Sequence, residues 1–495
     1  MSGFADSTPT WFGAAFLAQD WILAIGGFLW VNLVVIAGVL LAGLTILNMF
    51  VERKKPAAIF AWGIVVILMP FIGAPLYLIF GGRKSRRLVR IKKRLDRLVH
   101  EVRAEGKPDA PDRDTTVGSP VRSAQPPVMP GNRVDLFGDG VSGYHALMTA
   151  IDDARESIYI LTYILSDDET GRVIVDRLVQ RARDGIEVKL LLDGLGSRRA
   201  LRGLTRPLRQ AGGAVAGFIP ILALRRRTSA NLRNHRKIAI FDGDYAITGG
   251  QNLDARFLAA EESDTLFKDY NLGIRGPAVQ EFTEIFVQDW VFATNSDPRA
   301  FARNLRHEPA RAGNTELCVI SSGPETPTDA IWERFLSLVQ ECQQRLTIVT
   351  PYFIPDDVLY QSLRVKALAG KQVQLILPAI SNHPLADLAR RHFVRDLHEV
   401  GCDIRLYTRR MNHGKLMIVD DRIAIAGTAN MDMRSFFLNF ELAVTTETEE
   451  TLNVFKTWIH RLEPDCIPFA ESERATPKQS RLLLEHFAYL ISPLL

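Results

Sequence analysis

Residues 234–257 read NHRKIAIFDGDYAITGGQNLDARF, and residues 412–436 read NHGKLMIVDDRIAIAGTANMDMRSF. At a constant offset of 178, His235 pairs with His413, Lys237 with Lys415, Asp242 with Asp420, Gly249 with Gly427, Asn252 with Asn430, Asp254 with Asp432 and Arg256 with Arg434. The shared pattern is H-x-K-x4-D-x6-G-x2-N. With each residue type at roughly 5% usage, five fixed positions match by chance at about one site in three million, so two copies mark a duplication. Each copy reads as a strand, a tight turn and a returning strand. Asp242-Gly243 is a strong hairpin signal and Asp420-Asp421 a weaker one. Side chains two apart on a strand share a face, so His235 and Lys237 point together, as do His413 and Lys415, while Arg236 and Ile238 point away. Gly249 and Gly427 are expected to let the backbone turn at the end of the return strand.

The duplication extends outward from the motifs. GYHALMTAIDDA, SIYILTYIL, GRVIVDRLVQRARDG and IEVKLLLDG read as helix, strand, helix, strand, and DAIWERFLSLVQECQ, RLTIVTPYF, DVLYQSLRVKALAGK and VQLILPA repeat that order. Such alternation implies a mostly parallel sheet covered by helices, with ligands outside the carboxyl ends of its strands. Two halves of this kind are assigned to residues 134–310 and 311–495. Before them, residues 101–133 read as a linker, since 105–133 hold six prolines and little apolar periodicity.

The N-terminus is of another kind. Trp21–Val51 is an uncharged run of 31 residues, and Pro56–Gly82 is a second uncharged run. Each exceeds the roughly 20 apolar residues that a spanning helix needs, and the first is too long, and lacks the basic flank, for a signal peptide. A membrane hairpin is expected over 21–51 and 56–82, with Pro70 and Pro75 bending its second arm, which is then either a kinked span or partly re-entrant. A basic juxtamembrane helix completes this region to residue 100. Residues 83–97 carry nine Lys/Arg and one Asp, a net +8 against +4 for the whole chain, so the rest sums to −4. By the bias of Lys/Arg toward the cytoplasm this cluster places the following residues there, although Arg53, Lys54 and Lys55 then fall on the opposite side of a hairpin. The same cations suit an anionic lipid surface. Cys318, Cys342, Cys402 and Cys466 form no ligand-spaced cluster, which argues against a disulfide scaffold or a structural zinc site.

Two histidines, two lysines and two asparagines converging on one cleft make an anion site with two titratable imidazoles. Lys237, Lys415, Asn252 and Asn430 can hold the non-bridging oxygens of a phosphate. One imidazole can attack phosphorus while the other protonates the leaving alcohol, which needs one neutral and one protonated ring. A pKa near 6.5 permits that. Asp242 and Asp420, within the motif, look like turn residues bonded to their local backbone. Arg225, Arg226, Arg227 and Arg233 precede the first motif and Arg409 and Arg410 the second.

The paired motifs resemble those of the phospholipase D superfamily, over residues 134–495. With the N-terminal runs, PAAIFAWGIVVILMPFIGAPLYLIFGGRK and the ending LLEHFAYLISPLL, the chain is similar to the bacterial cardiolipin synthases of that superfamily. The resemblance implies two phospholipase D-like mixed-sheet domains packed face to face, in a multi-pass protein of the inner membrane with a cytoplasmic catalytic region. It implies metal-independent, cofactor-free transfer of a phosphatidyl group between two phosphatidylglycerol molecules through a phosphohistidine, with His235 the better nucleophile and His413 the acid and base. It implies a carboxylate downstream of each motif orienting its histidine: Glu441, 28 residues after His413, and Asp269, 34 after His235. Ser435 stands where that family often has serine or threonine, and Phe257 at the matching first-half position breaks the symmetry. Another phospholipid phosphatidyltransferase or a hydrolytic phospholipase D stays open as the alternative. Nucleic acid is not an expected partner, because the charge outside residues 83–97 is net negative.

Overall fold

A computed structural model describes residues 11–51, 56–80, 86–105, 127–219, 232–472 and 479–490. The chain forms two units, Met1–Gly82 and Arg83–Leu495. Arg53–Lys55, Arg225–Arg227, most of the proline-rich linker and the final five residues lie outside the described residues.

In the first unit, α1 (Trp11–Val51) is a single helix, and Leu29–Val51 within it is long and apolar enough to cross a membrane. Leu29, Trp30, Leu40, Leu44 and Phe50 are exposed along it. The second apolar run takes the re-entrant form of the two its prolines allowed. It breaks at Met69 into α2 (Pro56–Leu68) and α3 (Pro70–Phe80), because Pro70 lacks the N–H that would continue the ladder. The two halves fold back on each other. Gly73 lies so close to the Val65 and Val66 backbone that no Cβ would fit, and the Trp62 and Tyr77 rings meet edge to face at 5.7 Å. At 1.5 Å per residue, the 13 and 11 residues reach about 20 and 17 Å, short of a hydrocarbon core of roughly 30 Å.

The basic helix α4 (Arg86–Ala104) belongs to the second unit rather than to the membrane segment. Its charged residues crowd one side, which leaves Leu88, Leu95, Val99 and Val102 on the other, and that apolar side is buried in the central core. Arg90, Lys93, Arg94 and Arg97, at helical i, i+3, i+4, i+7 spacing, face outward.

The rest of the second unit is a duplicated α/β fold. Its first half contains β1 (Met129–Phe137), α5 (Gly140–Asp153), β2 (Ser157–Thr162), α6 (Glu169–Arg183), β3 (Glu187–Asp193), α7 (Arg198–Arg202), α8 (Arg206–Gln210), β4 (Ala214–Phe218), β5 (Ile238–Phe241), β6 (Tyr245–Gly249), β7 (Asn271–Arg275), α9 (Val279–Thr294) and α10 (Ala302–Arg306). The second half opens with β8 (Thr315–Ser322), α11 (Ala330–Glu341), β9 (Arg345–Val349), β10 (Phe353–Ile354), α12 (Asp357–Leu368), β11 (Gln372–Pro378), α13 (Pro384–Glu399) and β12 (Asp403–Tyr407). It closes with β13 (Leu416–Val419), β14 (Ile423–Gly427), β15 (Met431–Asp432), α14 (Met433–Phe437), β16 (Glu441–Thr446), α15 (Glu449–His460), β17 (Cys466–Pro468) and α16 (Gln479–Leu490).

The halves are not two separate sheets stacked face to face. Among the described residues, fifteen strands form one sheet in the order β17-β12-β11-β9-β13-β14-β16-β8-β1-β7-β6-β5-β2-β3-β4, and the halves join at an irregular antiparallel β1–β8 pairing. Nor is that sheet mostly parallel. Within it only β2–β3–β4 and β9–β11–β12 run parallel, since the β5–β6 and β13–β14 hairpins reverse the chain. Strand alternation sorts the core into layers. Ile158 and Ile160 pack with α5 and α6, and Met417 and Val419 with α11 and α13; Tyr159, Leu161, Leu416 and Ile418 face a shared core with α9 and α15.

Candidate active site

Both motif strands begin at the sheet end where β2, β3, β9 and β11 finish. Asp193, at the end of β3 and fully buried, accepts from the Leu195, Gly196 and Asn234 N–H groups and so fixes the residue before His235. The turns lie at the far end. Asp242 and Gly243 have φ of 56° and 77°, and Asp420 and Asp421 have 52° and 53°, the left-handed pair that a two-residue hairpin turn requires. The Asp242 carboxylate accepts from the N–H groups of Arg155, Glu156 and Ser157 at 2.7–2.9 Å. Asp420 does the same for Gln343, Gln344 and Arg345 at 2.8–2.9 Å. The motif aspartates are therefore anchors between a turn and the start of a distant strand. They are neither cleft residues nor caps of their own local backbone. Gly249 and Gly427 also differ from expectation: they let neighbouring strands approach, since a Cβ would collide with the Tyr270 and Leu442 carbonyls.

His235, His413, Asn252 and Asn430 come together in one cleft of ≈ 440 Å³, with Tyr163, Arg256, Phe257, Tyr352, His383, Arg434, Ser435 and Asn439 in its wall. The carboxylates reach it crosswise. His235 Nδ1 sits 3.1 Å from Glu441, and His413 Nδ1 sits 2.6 Å from Asp269, so each histidine is held by the other half's carboxylate and not by the one that follows it in sequence. The cause is a pair of backbone bridges. His235 N donates to Phe440 O, one residue before Glu441, and His413 N donates to Lys268 O, one residue before Asp269.

Lys237 and Lys415 lie beneath the rings, each donating to the carbonyl of its own histidine, at 2.8 and 2.5 Å. Burial lowers their pKa values to about 7 and about 8. Burial also lowers both imidazoles, and His413 further because Lys415, Lys237 and His235 push the same way while Glu441 pulls His235 back up. The two carboxylates diverge. Burial raises Asp269 to about 7. Burial would raise Glu441 as well, but His235, Lys237 and the Thr428 hydroxyl outweigh it and hold Glu441 below its ordinary value. Thr428 Oγ1 donates to Glu441 Oε2 at 2.5 Å and Asn439 Nδ2 to Oε1 at 3.2 Å. The Oδ1 atoms of Asn252, Asn430 and Asn439 are buried at the cleft without a partner among the described residues.

Sequence reasoning passed over Arg236, which points away from the cleft as strand geometry requires and is fully buried. It donates to both Asp289 oxygens at 2.8 Å, to Glu325 at 2.7 Å and to the Glu441 carbonyl at 3.1 Å. An arginine buried at the root of a motif, with acidic residues at distant positions, was the available signal. His383 and Tyr352, whose rings meet at 5.3 Å beside His413, were also passed over.

Residues 147–290 and 335–463 match the family described as "Cardiolipin synthase, PLD-like domain", and residues 32–82 match "Phospholipase_D-nuclease N-terminal". The chain is 32% identical to a cardiolipin synthase 1 of Bacillus anthracis over 472 residues, covering 90% of this chain and 91% of that one. The chain belongs to the phospholipase D-like cardiolipin synthase family. A cardiolipin synthase of Oceanobacillus iheyensis is 33% identical, covering 84% and 89% of the two chains. A crystal structure of phosphatidylserine synthase from Haemophilus influenzae superposes with a TM-score of 0.59 at 17% identity, covering 75% of this chain and 98% of that chain, which establishes a shared fold. The family membership accounts for the duplicated half-sites and for the apolar N-terminus of a membrane-associated protein.

Proposed function

We propose that the chain is a phosphatidyltransferase that makes cardiolipin from two molecules of phosphatidylglycerol. The observation that carries this reading is the crosswise pair of histidine–carboxylate contacts in one cleft, above two buried lysines. Glu441 accepts the Nδ1–H of a neutral His235, which leaves the Nε2 lone pair to attack. As the Nε2–phosphorus bond forms, the bond from phosphorus to the headgroup glycerol oxygen breaks. His413, its Nδ1–H held by Asp269, gives the proton on its Nε2 to the departing glycerol. The hydroxyl of a second phosphatidylglycerol then attacks phosphorus, passes its proton to His413, and expels Nε2 of His235. Lys237, Lys415, Asn252 and Asn430 hold the phosphate oxygens while charge develops.

The broken second run supports one topology over the other. With α1 crossing the bilayer and the α2–α3 pair re-entering from one side, Arg53, Lys54, Lys55 and the cations of residues 83–97 share the cytoplasmic face. The charge conflict of a spanning hairpin disappears.

The test uses the full chain in phosphatidylglycerol vesicles. Cardiolipin and glycerol should form in equal amounts, and label from the lipid should be trapped on His235. His235→Ala should abolish both. His413→Ala should slow turnover by about 10²–10⁴-fold while label still reaches His235. Full activity in either variant would sink the paired-histidine mechanism, and phosphatidic acid as the main product would make the chain a hydrolase.

A further inference from the structure

The cleft opens at the end of the second unit where the chain enters it. α4 runs antiparallel to α9: Arg103, near its end, bonds Glu284, and Lys92, a few turns earlier, bonds Gln288. α9 then carries Asp289 to Asn234 and Arg236, and Phe292 to Phe218 and Phe440, beside the cleft. Arg86, where α4 begins, is thus at the cleft end.

Each half sets one large apolar side chain into water at this end. Leu195 is 47% exposed two residues beyond β3, and Ile380 is 69% exposed two residues beyond β11, the same place in each half. Both tips are tied down: the Leu195 N–H donates to Asp193 at 2.9 Å, and the N–H of Ser381, next to Ile380, donates to Asp387 at 2.8 Å. Next to Leu195, α7 turns Arg198, Arg199 and Arg202 outward. Apolar tips flanked by arginines fit a surface that is anionic outside and hydrocarbon beneath.

We propose that this rim seats on the anionic phospholipid bilayer, with Leu195 and Ile380 below the headgroups and the α7 arginines among the phosphates, so that the cleft mouth faces its lipids directly. The proposal rests on the phosphatidyl-transfer reading. A phospholipid lifted free of the bilayer would bare roughly thirty methylenes to water, and the cleft has room for a headgroup rather than for two acyl chains. The site must therefore go to the lipid.

Two measurements on the full chain in phosphatidylglycerol-containing vesicles test it. A fluorophore on Ile380→Cys should be quenched by lipids brominated along the acyl chain. One on Arg155→Cys, at the opposite end of the sheet, should not. Equal quenching at both positions, or none at residue 380, overturns the docking whatever reaction the chain performs. In the second, Leu195→Ser combined with Ile380→Ser should cut turnover of bilayer phosphatidylglycerol by about tenfold and leave turnover of a monomeric dihexanoyl phosphatidylglycerol unchanged. Equal loss on both substrates would make the rim structural and overturn the proposal. If the unmodified chain turns over neither lipid, the phosphatidyl-transfer reading fails, and the quenching pattern still decides the docking.

Discussion

At position 250 the first half-site has glycine, and at the matching position 428 the second has threonine. The difference propagates to both histidines. Gly250 leaves Asp269 just enough room, since a Cβ there would collide with both carboxylate oxygens. Thr428 instead supplies a hydroxyl to Glu441. One carboxylate is thus hydrogen-bonded and held in its charged form, while the other is confined by backbone and raised to about 7. Behind the rings the halves diverge again. Arg236 ties the first motif to Asp289, Glu325 and the Glu441 carbonyl, whereas Gly414, its counterpart, makes way for the Trp458 ring. A duplicated motif has become two unlike imidazoles: one suited to attack phosphorus beside a fixed anion, and one sharing a proton with a near-neutral acid.

The strongest way to break this comparison is to neutralise the carboxylates separately. Glu441→Gln should slow phosphohistidine formation by about 10²–10⁴-fold, and Asp269→Asn should slow glycerol departure by a similar factor. A donor whose leaving group needs no proton separates the two. It should rescue Asp269→Asn, which acts through His413, and not Glu441→Gln. The opposite rescue pattern in single-turnover assays would mean that each carboxylate serves its own half.

A smaller effect sharpens the same point. Thr428→Ala removes one hydrogen bond to a charged group, worth about 1.5–3 kcal/mol, so label should reach His235 at least tenfold more slowly. Alanine is the useful change because it deletes the hydroxyl and leaves the backbone as constrained as before, whereas Thr428→Gly would loosen the chain at the same time. If Thr428→Ala labels His235 at the normal rate, the hydroxyl does not set the state of Glu441.

The lysines predict a pH dependence. Both are depressed by burial, to about 7 for Lys237 and about 8 for Lys415, so in the free enzyme the charged clamp is present below pH 7 and lost as pH rises through 7 and 8. kcat/KM, which reports the free enzyme, should fall along that limb. Lys237→Arg cannot lose its proton and should carry the limb upward by a few tenths of a unit or more. An unmoved limb would assign it to another group.

How much of this was legible depends on the range over which each feature is set. The hairpins, the helix–strand alternation and the shared face of His235 and Lys237 are local, encoded by periodicity and by Asp-Gly or Asp-Asp turns, and they appear as expected. The proline break at residue 70 was legible as well. A re-entrant second arm was legible with it, but the contact that closes the fold-back, Gly73 on the Val65 backbone, was not. The partner of each histidine was misassigned for the same kind of reason. Proximity in sequence favours Glu441 for His413, but the bridges from Asn234 to Phe440 and from Lys268 to Asn412 join the halves and reverse the choice. Arg236 stayed hidden because nothing near it in sequence announces Asp289 or Glu325 as its partners.

The aspartates close the comparison, because at this motif position the halves agree. Asp242 and Asp420 each gather three N–H groups at the start of a strand, at the end of the sheet away from the cleft. Removing the carboxylate leaves those donors to find water, and hydrogen bonds to a charged acceptor are each worth about 1.5–3 kcal/mol, partly recovered where the turn is solvent-exposed. Asp242→Ala and Asp420→Ala should therefore each lower stability by a few kcal/mol, read as an earlier midpoint in denaturant. The folded fraction should keep its kcat within about twofold, because neither residue touches the cleft. Asn, which keeps one acceptor oxygen, should recover part of the stability in both halves alike. A large drop in kcat with an unchanged midpoint would return these residues to the chemistry, and unequal effects of the two substitutions would show that even the anchors have diverged.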